Sequence, residues 1–245
     1  MSGLVAFLKL ALPAPRLVWT LGPVFLAAAL VAGWLAGTLR LSSGLRTPYT
    51  RKVFHFVIFT LASAVQLWKG LPAVMLFGAV VALVVLHAVA RGEGYPLYEA
   101  LARPSDAPHR SLFVLVPLAT TALGGVLSNL FFGPTAFVGY LVGGWGDAVG
   151  EPVGTAWGRH RYSVPSLAGV PATRSLEGSA AVFGVGALAA GLGLAVAGFA
   201  PGVALEVGLC CGAVGAVVEA VSHHGTDNLT IQLAAAGTAY FLLAF

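Results

Sequence analysis

Charge is what this chain has least of. Lys and Arg number 13, Asp and Glu 9, and together they fill 9% of 245 positions. Ordinary soluble domains carry about 25% charged residues, so a soluble globular protein is excluded. Cysteine is almost missing as well. Cys210 and Cys211 are adjacent inside an apolar run, which provides neither a disulfide framework nor metal-site spacing and reads as two small core residues. No Walker A loop, G-x-G-x-x-G, G-x-S-x-G or H-E-x-x-H occurs, so a soluble-type nucleotide fold is not encoded. Long basic runs are absent too. The net charge is +4, and the cations fall in short connections, which points to membrane topology and phosphate rather than nucleic acid. The first apolar run is short and broken by Lys9 and Pro13, and does not read as a signal peptide.

What the chain has is apolar length. Hydrophobic residues make up 58% and the mean hydropathy is +0.90, which predicts an all-α polytopic membrane protein. About 20 apolar residues cross a bilayer. Eight segments approach that length, at 17–39, 53–68, 71–90, 112–132, 135–154, 179–199, 203–221 and 229–245. About eight transmembrane helices in a single integral membrane domain over 1–245 are therefore expected. Gly133 and Pro134 should turn the chain tightly, and 155–176 reads as a polar loop with prolines. Tyr95 and Tyr98, three apart in the connection 91–111, suit an interfacial helix at headgroup level.

The cations orient these segments. Arg40, Arg46, Arg51 and Lys52, then Arg91, Arg103 and Arg110, then Arg159, Arg161 and Arg174 fall in connections that open on one side, against Lys9, Arg16 and Lys69 on the other. The positive-inside rule makes the first side cytoplasmic and sets both termini outside. The rarer acidic residues gather on the cytoplasmic side too. Chemistry between a water-soluble anion and a lipid headgroup suits such a face, whereas a transporter would place its polar residues near the midplane of two related halves. No convincing internal repeat is present.

The densest polar stretch is 146–179, GDAVGEPVGTAWGRHRYSVPSLAGVPATRSLEGS. Gly146, Gly150, Gly154 and Gly158 recur every fourth residue, a smooth helical stripe against which another backbone can lie closely. Asp147 and Glu151 share one helical face and repel. A divalent cation would relieve the repulsion, and so would protonation of one carboxylate or pairing with a nearby Arg. Arg159, Arg174 and Glu177 follow, a set suited to phosphate, with Glu177, Gly178 and Ser179 opening the next helix, where backbone N–H groups favour an anion. Arg161 reads as a topology residue only, and Arg159 serves either topology or phosphate. Further on, Glu219 lies inside an apolar helix about two turns before Asp227 and needs a partner. Asp227 and Asn228 would supply oxygen ligands or position a hydroxyl, or form an ordinary turn. His223 and His224 are adjacent, point apart and read as interfacial residues without a role. Arg51 and Lys52 anchor the start of the second span, and His55 lies one turn into it.

Taken together, GDAVGEPVGTAWGRH, RSLEGSAAVF, Glu219 with TDNLT, and the upstream RKVFH resemble the dolichol kinase, phytol kinase and CTP-dependent diacylglycerol kinase family, over about 51–231. The resemblance implies an integral membrane lipid kinase using CTP with magnesium. It implies metal contacts for Asp147, Glu151 and Glu177, with Asp227 and Asn228 at the acceptor hydroxyl or completing the metal shell. It implies donor contacts from Arg51, Lys52, His55, Gly146, Gly150, Gly154, Gly158, Arg159, Arg174, Ser175, Glu177, Gly178, Ser179 and Glu219. The family often has Lys before Ser or Thr ahead of the EGS element. Here Arg174 precedes Ser175, and a compact ammonium becomes a planar fork. The related phosphatidate cytidylyltransferases end on a longer acidic and basic run, against which this chain has only Thr226-Asp227-Asn228, and that favours the kinase branch. The expected partners are a lipid alcohol (polyprenol, phytol, farnesol or diacylglycerol), a nucleotide and membrane lipids, with no nucleic acid. A CDP-lipid-forming enzyme and a non-catalytic transporter or scaffold are the alternatives.

Overall fold

The computed structural model describes residues 2–165, 172–223 and 225–245. Its contacts divide into two compact units, 1–103 and 104–245. The first unit is helical throughout: α1 (Ser2–Ala11), α2 (Pro15–Leu41), α3 (Thr47–Lys69), α4 (Leu71–Arg91) and α5 (Pro96–Leu101). Proline opens α2 and lies in the first turn of α3, α4 and α5, where the N–H it lacks would have been unpaired in any case. The short α5 is fastened by two buried threonines of α3, with Thr47 Oγ1 donating to the carbonyl of Glu99 (3.2 Å) and Thr50 Oγ1 to that of Ala100 (2.9 Å). The connection 91–111 thus contains a short helix, α5, and Tyr98 is buried in the unit.

The second unit contains α6 (Leu112–Phe132), α7 (Ala136–Leu141), α8 (Asp147–Trp157), strands β1 (Arg161–Val164) and β2 (Ala172–Ser175), then α9 (Leu176–Val196), α10 (Pro201–Val221) and α11 (Asp227–Leu242). A 3-10 turn at Gly133–Thr135 joins α6 to α7, and a π-helical segment at Val142–Gly146 joins α7 to α8. The turn reverses the chain. Asn129 Nδ2 donates to Tyr140 Oη at 2.7 Å, whereas eleven residues of straight helix would separate them by about 16 Å. The core lies where α7, α9, α10 and α11 meet, around Phe137, Val142, Leu194, Val207 and Ile231.

Five helical stretches are long and apolar enough to cross a membrane: Pro15–Leu41, Leu71–Arg91, Leu112–Trp157, Leu176–Val196 and Pro201–Val221. With leucines and valines exposed along them, they mark a membrane-embedded all-α protein. Among the described residues, α3 and α11 fall outside that set. The first carries Arg51 and Lys52 inside the helix rather than before it, and the second has only 16 residues.

The described residues of 155–176 form regular structure rather than a polar loop. Helix α8 continues to Trp157, and β1 and β2 pair antiparallel with Arg161 opposite Ser175 and Tyr162 opposite Arg174. Both strands are short and lie within the most polar part of the chain, so the apolar alternation that would reveal a strand is missing.

Candidate active site

The glycine stripe of α8 is a helix–helix seam. A Cβ placed on Gly146 would lie 3.1 Å from the carbonyl oxygen of Val182, one on Gly154 3.0 Å from Ser175 Oγ, and one on Gly178 2.9 Å from the carbonyl oxygen of Gly150. Helix α9 therefore covers the face that Gly146, Gly150 and Gly154 share. That occupied face serves close packing, and it fixes Asp147 and Glu151, one turn apart on the same helix, relative to the start of α9.

Helix α9 starts where the sequence places its polar opening. Ser175 Oγ accepts the backbone N–H of Gly178 at 3.1 Å, a side-chain cap. Glu177 turns toward the hairpin, with Oε1 2.7 Å from His160 Nδ1 and both oxygens accepting the His160 N–H at 3.3 Å. Arg161 Nε and Nη2 donate to the carbonyls of Gly158 (3.1 Å) and Gly154 (3.2 Å), closing the C-terminal end of α8, where cations are favoured. Arg159 is exposed.

Arg174 is the hub. Its register partner is Tyr162, so both side chains leave the same face of the hairpin. Arg174 Nε lies 3.1 Å from Glu219 Oε1 and Nη2 3.0 Å from Asp227 Oδ2, with only 9% of the Arg174 side chain exposed. Ser179 Oγ donates to Glu219 Oε2 at 3.3 Å and lies 3.1 Å from Tyr162 Oη. Five elements thus meet in one hydrogen-bonded set: β1, β2, the first turn of α9, the last turn of α10 and the first residue of α11. Asp227 Oδ1 also accepts the N–H of Asn228, and Asn228 Nδ2 donates to Thr121 Oγ1 at 2.8 Å. One guanidinium between two carboxylates leaves a net negative charge when both are ionised, and Arg174 Nη1 has no hydrogen-bond partner among the described residues.

The structure therefore brings Arg174, Ser179, Glu219, Asp227 and Asn228 together and sets Ser175, Glu177 and Gly178 beside them on the same helix start. Asp147 is buried and Glu151 half-buried on α8. Among the described residues no group of three or more His, Cys, Asp or Glu side chains is placed to hold a metal ion, and Glu177 is engaged with His160. His223 is exposed, and His224 lies outside the described residues. Arg51, Lys52 and His55 belong to the first unit, where Lys52 is buried and the His55 ring stacks on Phe59, centroids 4.3 Å apart. Sequence reasoning passed over Tyr162, His160, Thr121 and Gln232. The only signal for them was a polar side chain in register with a known one, as with Tyr162 opposite Arg174.

No family model matches the chain, and no solved structure does. The chain is similar to a phytol kinase of Synechocystis sp., with 26% identity over 216 residues, 88% of this chain and 87% of that protein. A match of that length necessarily takes in the stretch from Gly146 to Ser179. It supports a relationship to phytol- and dolichol-kinase-like proteins, and at the coarse level a membrane lipid kinase.

Proposed function

We propose that the protein transfers the terminal phosphoryl group of CTP to the hydroxyl of a membrane-embedded lipid alcohol, at the cytoplasmic face, within a fold of about eight spans. The observation that carries this reading is the position of Asp227. Arg174 fixes its carboxylate at the start of α11, beside Asn228 and at the end of a helix embedded among apolar partners. A carboxylate held at that boundary meets a lipid hydroxyl arriving from one side and a phosphate arriving from the other. The long likeness to a phytol kinase supports the same reaction class.

Phosphoryl transfer asks the protein for position and charge rather than covalent chemistry. The alcohol oxygen attacks the γ-phosphorus of CTP, the bond from that phosphorus to the β-phosphate oxygen breaks, and CDP leaves. Asp227 accepts the hydroxyl proton, and Arg174 orients its carboxylate for that step. Glu219 balances Arg174 from the other side, with Ser179 holding its second oxygen. The N–H groups at the start of α9 lie on the phosphate side of the site.

Magnesium fits the acidic pair by its chemistry. This ion is usually held by one or two carboxylates together with substrate phosphates rather than by a full protein cage. Asp147 and Glu151 would hold it, and its charge would offset that of the nucleotide phosphates. The test is direct: purified protein, CTP, magnesium and a panel of phytol, farnesol, polyprenol and diacylglycerol, with lipid products identified by mass spectrometry. The expected product is a lipid monophosphate, and its absence for every alcohol and every nucleoside triphosphate rejects the reading.

A further inference from the structure

The two units differ in charge. The first carries nine of the chain's 13 Lys and Arg but only two of its 9 acidic residues, Glu93 and Glu99, and no Asp or Glu precedes Glu93. Such an asymmetry points to an anionic surface as partner. Within the first unit, one exposed corner joins cations to apolar side chains. Helix α2 is long and apolar enough to cross a membrane and ends at Leu41, and residues 41–46 are all exposed.

The connection from α2 to α3 curls back on the helix end. Gly44 takes the left-handed conformation, with φ 64°, which reverses the chain without a Cβ penalty. The Leu45 N–H donates to the Leu39 carbonyl at 3.2 Å, and Arg40 Nη1 donates to the Leu45 carbonyl at 3.5 Å. Arg40 therefore ends beside the peptide that leads into Arg46. Its carbonyl contact is at the long limit of a hydrogen bond and offers no opposite charge. The Arg46 side chain is exposed and has no hydrogen bond or ion pair among the described residues. Two guanidinium groups thus share a corner without a carboxylate. Leu41 and Leu45, 55% and 39% exposed, flank them.

Cations beside exposed apolar groups, at the end of a membrane-spanning helix, match a lipid better than a soluble anion. Basic residues at such a boundary are drawn to an acidic membrane surface, and apolar side chains enter the acyl boundary. A nucleotide or inorganic phosphate would meet the guanidinium groups but leave both leucines in water. We propose that the α2–α3 corner docks an acidic phospholipid of the surrounding leaflet. Arg40 and Arg46 hold its headgroup phosphate, and Leu41 and Leu45 lie against its acyl chains. The site belongs to the first unit and does not depend on the kinase reading.

Native mass spectrometry of the full chain, released from micelles doped with phosphatidylglycerol or phosphatidylcholine, tests the site. The wild-type protein should retain phosphatidylglycerol over phosphatidylcholine, and the preference should shrink as salt rises. Arg46→Gln should weaken phosphatidylglycerol binding about fivefold, and Arg40→Gln combined with Arg46→Gln about 25-fold, with phosphatidylcholine binding constant. Thermal unfolding in neutral detergent checks the fold of both variants, and the single change at exposed Arg46 decides the matter if the double variant does not fold. Leu41→Ser with Leu45→Ser should also weaken phosphatidylglycerol binding. Equal retention of the two lipids by the wild type, or unchanged binding in the arginine variants, overturns the proposal. Displacement of the lipid by inorganic phosphate or CTP overturns it too and makes the corner a soluble-anion site. A dimer lost on Arg46→Gln, without any lipid preference, would assign the corner to a second copy of the chain instead.

Discussion

Two polar regions of the second unit are built on opposite principles. The polar set around Arg174 draws on five elements and lies at helix and strand ends, with each charge facing an opposite one. The neutral column of Thr121, Asn228, Gln232, Asn129 and Tyr140 lies within α6, α7 and α11 and contains no charge. Burying a charge costs several kcal/mol unless it is paired, so charges stay at boundaries where partners converge. An amide or hydroxyl can go deeper, because one or two neighbouring carbonyls satisfy it. On the kinase reading, the phosphate meets the first kind of region. Their junction is the Asp227–Asn228 pair.

That contrast can be broken at chosen points. Asp227→Asn keeps the shape and removes the proton acceptor. It should lower phosphate transfer at least 100-fold, measured as initial rate, with a melting temperature close to wild type. Asp147→Asn and Glu151→Gln should likewise abolish magnesium-dependent turnover without loss of fold, and retained activity in both would remove them from the mechanism. Arg174→Met leaves Glu219 and Asp227 facing each other without a cation. A loss of about 3–5 kcal/mol is expected from breaking a buried pair this way, read by thermal unfolding in detergent. Arg174→Lys should recover part of it, since charge remains but the fork is lost. Gly178→Ala pushes a methyl onto the Gly150 carbonyl and should cost about 1–3 kcal/mol. Smallest is Tyr162→Phe, which removes one hydrogen bond to Ser179 and should cost about 0.5–1.5 kcal/mol. An effect there as large as that of Arg174→Met would contradict the order of dependence drawn here.

The ionic region was largely legible in the sequence because charge is rare in this chain. Glu219, deep in an apolar helix, had to find a partner, and Arg174 with Asp227 lay within motifs already marked. The glycine spacing of α8 likewise announced a seam before its partner α9 was known. The neutral column was not legible. A Gln, an Asn or a Thr in an apolar helix is unremarkable until a second helix supplies its carbonyl, and α6 meets α11 across more than one hundred residues of sequence. The hairpin was missed for a related reason, since its strands carry no apolar alternation and are fixed instead by Tyr162 and Arg174 reaching α9, α10 and α11. The eight-span count rested on length alone. It set the start of the second span at 53, whereas α3 begins at Thr47 and takes Arg51 and Lys52 into the helix.

The central claim is that a lipid hydroxyl, not an anionic lipid phosphate, attacks the nucleotide. It is tested most directly with CTP labelled at either phosphorus, in detergent with magnesium and a mixed lipid-alcohol extract supplemented with phosphatidate. γ-Labelled CTP is expected to mark the lipid and α-labelled CTP to leave it unlabelled, with CDP released. Label from the α-position in the lipid, with pyrophosphate released, would contradict it and assign a CDP-lipid-forming enzyme instead. Transfer from neither position would leave a membrane protein without this chemistry.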